Sequence, residues 1–260
     1  MTIFQSIILG IVQGITEFLP ISSSAHLVLV PELFNWGEHS LTFDILAHAG
    51  TLLAIIIYYR KRLISIFKSL LEHRKESKYT KLIINLILTT IPTVIIYFLL
   101  NDLIESTLGS TRVIQFTLII GGIFLLIADI YSKRNKETSQ ITHLSATLVG
   151  VGQGLSLIRG MSRSGTMLTL GLFFKIERKK LVEYVFFASI PIISAGLFLK
   201  SIEYINNPTG EGIAILFFGF LSSFLSGIFA IKLLNKLIDR NIIMISAIYR
   251  IILALILILI

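Results

Sequence analysis

The 260-residue chain is 54% hydrophobic, only 15% charged, and has a mean hydropathy of +0.85. A water-soluble domain of that size needs far more polar surface, so composition points to an integral membrane protein. The net charge of +8 is spread over short segments between apolar runs, which argues against nucleic acid as a partner, and the absence of cysteine excludes disulfides and thiolate chemistry.

In chain order, residues 1–42 come first, apolar at both ends but broken by "QGITEFLPISSSAH" (13–26). They lack a basic leader and a small-residue cleavage site, so they are not expected to be a removable signal. Three runs long enough to span a bilayer follow, near 43–59, 82–100 and 113–130. Residues 141–181 form a second broken segment, and three more spans lie near 182–199, 213–231 and 242–260. The connections 60–81, 131–140, 175–180 and 232–241 are basic, whereas 101–112 and 200–212 carry few cations. The positive-inside rule therefore makes the first group cytoplasmic and the second extracytoplasmic, consistently at every crossing.

The second broken segment starts and ends among basic residues, as a re-entrant hairpin would. Irregular backbone at that depth requires surrounding protein or a cavity. Shifted by 140 residues, "GIVQGITEFLPISSSAHL" (10–27) lies on "GVGQGLSLIRGMSRSGTM" (150–167) without a gap. Each half is then one hairpin plus three spans, 1–130 and 141–260, with hairpins 1–42 and 141–181. An odd number of crossings per half inverts the second half relative to the first. The expected fold is thus all-α, with six transmembrane helices and two re-entrant helical hairpins in an inverted-topology repeat.

The hairpins hold the polar chemistry. Pro20 stops a helix, and Ser22, Ser23 and Ser24 offer caps for the next one; Gly160 and "SRSGT" (162–166) repeat that pattern. Two helix N-termini aimed at one spot make an anion site. Arg163 stands on the second turn, where its cost in the bilayer calls for an anionic partner, and its planar fork suits phosphate oxygens. Gln13 and Glu17 share a helix face, as do Ser22 and His26. Together these residues supply a base or metal ligand, a nucleophile or acid, and an anion clamp. Asp44 and His48 are weaker candidates, Arg250 is expected to snorkel or to bond a carbonyl, and Pro92 and Pro191 are expected to kink their spans.

These residues resemble the undecaprenyl-diphosphate phosphatases of the bacitracin-resistance type. That family carries (E/Q)xxxE followed by FLPxSSxxH, here "QGITEFLPISSSAH", and a second motif PGxSRSxxT, here "RGMSRSGTM". Arg159 stands in place of the motif proline, Met167 in place of its threonine, and Thr166 lies one residue early. The similarity extends through "FDILAHAGTLLAI" (43–55) and "AIYRIIL" (247–253). The resemblance implies hydrolysis of the terminal phosphate of undecaprenyl diphosphate at the outer face of a bacterial inner membrane. That reaction recycles the lipid carrier for cell-wall synthesis and underlies bacitracin resistance. It further implies a homodimer and a divalent cation, Mg²⁺ or Ca²⁺, served by Glu17 and Gln13. Ser23 and His26 become competing nucleophile candidates, Arg163 the diphosphate clamp, and Ser22, Ser162, Ser164, Thr166 and Gly160 its helpers. A transporter or flippase of the polyprenyl phosphate is the alternative, since broken helices at the midplane serve both trades. In either case Arg159, absent from the family pattern, is expected to be replaceable by proline.

Overall fold

The computed structural model describes residues 1–71, 78–106, 110–138, 140–206 and 211–259. Arg74, Lys75 and Glu76 of the basic connection, and parts of the 101–112 and 200–212 connections, lie outside the described residues. Helix α1 (Ile3–Phe18) starts at a capping box: the Thr2 hydroxyl accepts from Gln5 N, and the Gln5 side chain accepts from Thr2 N at 2.8 Å. It stops because Pro20 pushes Leu19 into extended backbone, φ −70° and ψ 142°. Helix α2 (Ser23–Phe34) follows Ser22, whose hydroxyl accepts from Ala25 N, and ends on left-handed Asn35.

The second broken segment is built the same way. Helix α7 (His143–Leu155) begins at a Thr142 capping box, and α8 (Arg163–Phe173) begins at Ser162, whose hydroxyl accepts from Gly165 N. Ser22 and Ser162 both take positive φ, 75° and 65°, so the two turns share an uncommon backbone shape as well as a sequence.

Among the described residues six helices are long and apolar enough to cross a membrane: α3 (Leu41–Tyr58), most of α5 (Lys78–Ser106), α6 (Thr111–Lys133), α9 (Arg178–Asn206), α10 (Ile213–Leu237) and α11 (Ile242–Leu259). The chain is an all-α, multi-pass membrane protein; among the described residues the only extended pairing is an isolated bridge, Thr138 to Ile176. Helices α5 and α9 run through Pro92 and Pro191 as unbroken helix. The first part of the basic connection 60–81 forms a helix, α4 (Arg60–Leu71). There apolar Leu63, Ile64, Phe67 and Leu71 recur at helical spacing behind the cations Arg60, Lys61 and Arg62.

Small residues set the packing. Gly10 and Gly14 of α1 lie against Gly219, Ser222, Ser223 and Ser226 of α10, with no room for a side chain. Gly150 of α7 lies likewise against Thr89 of α5, where Thr89 Oγ1 donates to Ala146 O at 2.8 Å and Thr93 Oγ1 to Gly150 O at 3.0 Å. Close backbone approach plus interhelical hydrogen bonds is how helices associate where lipid removes the hydrophobic drive. The short helices α1 and α7 are thereby each pinned to a long one, α1 to α10 and α7 to α5. A buried Asp129–Arg178 pair joins α6 to α9.

Candidate active site

The two turns touch. Arg163, the first residue of α8, donates through Nη2 to Glu17 Oε1 near the end of α1. Ser164 Oγ donates to Leu19 O at 3.2 Å, and Gly160 N donates to Ser24 Oγ at 3.4 Å. The other carboxylate oxygen of Glu17 accepts from Ser23 Oγ at 2.6 Å and from Gln13 Nε2 at 3.2 Å. Glu17 is thus buried but fully engaged, which is the condition for keeping a charge in an apolar setting.

A cavity of about 920 Å³ opens over this cluster. Glu17, Ser22, Ser23, Ser162 and Arg163 line it, together with Ser24, Gln153 and Arg159. The first N–H groups of α2 and α8 have no intrahelical acceptors, so two helix N-termini bring donors and positive dipole ends to one wall. The rest of the wall comes from the ends of the spans: Asp44 and His48 of α3, Ser110 and Thr111 before and in α6, and Lys200 of α9. Asp44 accepts from His39 Nε2 at 2.8 Å and lies 3.6 Å from Lys200 Nζ; His48 Nδ1 donates to Asp44 O at 2.8 Å.

The remaining sequence candidates stand behind the wall. His26 is buried, with Nδ1 donating to Ser22 O at 2.7 Å and Nε2 at 2.7 Å from the Tyr249 hydroxyl, whose ring stacks on it. A carbonyl only accepts, so Nδ1 carries the proton and Nε2 of the neutral ring accepts from Tyr249. Thr166 Oγ1 turns back onto Ser162 O and Arg163 O of its own helix, both at 3.1 Å. Gly160 has φ 89°, and a Cβ there would meet Thr117 Oγ1. Gln13 is buried, and its Oε1 has no partner among the described residues.

Of the two expectations for Arg250, snorkelling or bonding a carbonyl, the second holds. It does not snorkel: it is fully buried, and its Nη2 donates to the carbonyls of Thr117, Gly160 and Met161 at 3.0–3.2 Å. It therefore holds the Gly160–Met161 turn from beneath. Sequence reasoning singled out neither Tyr249 nor Thr117, although Tyr249 lies beside Arg250 in the "AIYRIIL" stretch (247–253) that carries part of the family resemblance.

The family model described as bacitracin resistance protein BacA matches residues 6–256. The chain belongs to that family. A protein of Ruthia magnifica subsp. Calyptogena magnifica named undecaprenyl-diphosphatase is 39% identical over 254 residues, 96% of each chain. Proteins of the same name from Gemmatimonas aurantiaca and Caldicellulosiruptor bescii are 37% and 36% identical. These matches cover 98% of this chain and 97% and 96% of the relatives. The broken-helix cluster of this family member, Glu17 to Arg163, lies well inside the matched residues.

Proposed function

We propose that this chain hydrolyses undecaprenyl diphosphate to undecaprenyl phosphate and inorganic phosphate. The observation that carries the reading is the Ser23–Glu17–Arg163 cluster facing a cavity at the meeting of two helix N-termini. Near-full-length similarity to proteins named undecaprenyl-diphosphatase supports it. The diphosphate enters the cavity while its polyprenyl tail stays in lipid. Arg163 and the N–H groups of α2 and α8 grip the terminal phosphoryl group and stabilise the charge that develops on it. Glu17 accepts the proton of Ser23 as its oxygen attacks the terminal phosphorus, and the lipid monophosphate leaves. Water then releases inorganic phosphate from the serine, and Ser23 regains its proton. What favours Ser23 over His26 is the 2.6 Å hydrogen bond to Glu17, set against an imidazole whose two nitrogens are held behind the wall.

A divalent cation fits the donor set as a companion of the substrate. Among the described residues no cluster of three ligating side chains forms a cage, but Glu17 supplies a carboxylate and Gln13 an unpartnered buried oxygen. Mg²⁺ is commonly held by one or two carboxylates plus phosphate oxygens. Held by Glu17 and Gln13, Mg²⁺ or Ca²⁺ would neutralise charge on the phosphates.

The same reading gives the two halves, 1–130 and 141–260, as an inverted repeat whose hairpins 1–42 and 141–181 re-enter the membrane. Matched capping serines with positive φ support it. It places the protein in a bacterial inner membrane with the cavity opening outward, since Ser110 and Lys200 of its wall belong to the cation-poor connections. A homodimer belongs to this reading through the family resemblance. A flippase has no use for a serine hydrogen-bonded to a carboxylate, so transport is the weaker alternative. The test is phosphate release by the purified protein and its Glu17→Gln variant, which keeps the side-chain shape but removes the base. The variant should lose turnover on the order of 100-fold or more. Retained activity would make Glu17 only a counter-ion for Arg163.

A further inference from the structure

Among the described residues three fixed cations line the cavity, and two are already committed to carboxylates: Arg163 to Glu17, and Lys200 to Asp44 at 3.6 Å. The third is Arg159. It is exposed, and its guanidinium has no hydrogen-bond or ion-pair partner among the described residues. Its backbone, by contrast, is fixed. Thr117 Oγ1 donates to Arg159 O at 2.7 Å, and the next residue, Gly160, turns with φ 89° while its N–H reaches Ser24 Oγ. The fixed backbone thus sets a guanidinium without a partner among the described residues on the cavity wall, beside the N-terminus of α8.

We propose that Arg159 is a second phosphate-binding residue, taking the proximal phosphate that stays on the lipid while Arg163 takes the terminal one. This rests on the diphosphate reading above. The assignment follows from exposure: Arg163 is sunk against Glu17 with 18% of its side chain accessible, whereas Arg159 lies open to the cavity. A guanidinium can grip two phosphate oxygens at once, so it discriminates a lipid phosphate from a lipid alcohol. Because the proximal phosphate is common to substrate and product, Arg159 should hold the lipid monophosphate as well as the diphosphate. Proline at this site would form no such contact, so this chain would bind both lipids more tightly than a proline-bearing equivalent.

The test compares Arg159→Gln and Arg159→Pro with Arg240→Gln, which removes the same charge from an exposed position in the 232–241 connection. Three quantities are measured: KM for undecaprenyl diphosphate, inhibition by undecaprenyl monophosphate, and binding of a non-hydrolysable methylene-bridged diphosphonate lipid. Both Arg159 variants should raise all three constants about tenfold, the scale of one partly exposed charge-assisted contact, with a smaller fall in kcat. Arg240→Gln should move none of them. Unchanged constants in Arg159→Gln, or an equal shift in Arg240→Gln, would overturn the proposal. A wild-type protein that releases no phosphate yet binds the diphosphonate through Arg159 would defeat the hydrolase reading and leave this one standing.

Discussion

Replacing Arg163 with lysine separates a phosphate clamp from a buried counter-ion. In the structure Arg163 spends one nitrogen, Nη2, on Glu17 Oε1, which leaves the rest of its planar fork for a ligand. Lysine keeps the positive charge and can satisfy Glu17, whose side chain is only 5% exposed, so the fold should survive. Alanine would be a poorer probe, because breaking a buried pair costs about 3–5 kcal/mol and confounds stability with chemistry. What lysine loses is the aligned donor pair at the transferring phosphoryl group. Removing one such preorganised donor typically slows turnover about 100-fold or more. The assay is initial-rate phosphate release from undecaprenyl diphosphate, with thermal unfolding in the same detergent as the control for fold. A variant with normal stability and near-normal kcat would refute the reasoning and reduce Arg163 to charge balance.

Other expectations follow from the same geometry. Ser23→Ala should reduce phosphate release on the order of 100-fold or more, whereas His26→Asn, which keeps a donor for Ser22 O, should lose less; the reverse order in parallel kinetics would return the nucleophile's role to His26. In a chain without native cysteine, a single cysteine at exposed Lys136 should resist an impermeant thiol reagent in intact cells, while one at exposed Glu203 should react. The opposite labelling pattern would turn the cavity to the cytoplasmic face.

Much of the site could be read from local spacing, because a helix converts four-residue intervals into contacts. Gln13 and Glu17 do share a face and a hydrogen bond, and Ser22 and His26 likewise meet. The Pro20 break and the capping serines were legible for the same reason, each being decided within a few residues. The six spans were legible because about 20 apolar residues leave few other structures in lipid. What spacing does not contain is the partner across the bundle. His26 meets Tyr249 and Arg250 meets Gly160 only because α11 packs beside the two turns, and no periodicity reports that. Arg159 looked dispensable because it departs from the family pattern; its place on the cavity wall depends on how Thr117 and Gly160 hold its backbone. Helix α4 was hidden because its cations dominate the composition of a segment whose apolar residues still recur at helical spacing.

The central claim is that the terminal phosphorus of the diphosphate is attacked in the cavity beside Glu17, Ser23 and Arg163. Turnover by the purified protein in water enriched in oxygen-18 tests it most directly, with both products analysed by mass. The account predicts that the heavy oxygen appears in inorganic phosphate and that undecaprenyl phosphate stays unlabelled, whether or not a phosphoserine intervenes. Heavy oxygen in the lipid phosphate would mean attack on the proximal phosphorus, and the assignment of Arg163 to the transferred group would be wrong.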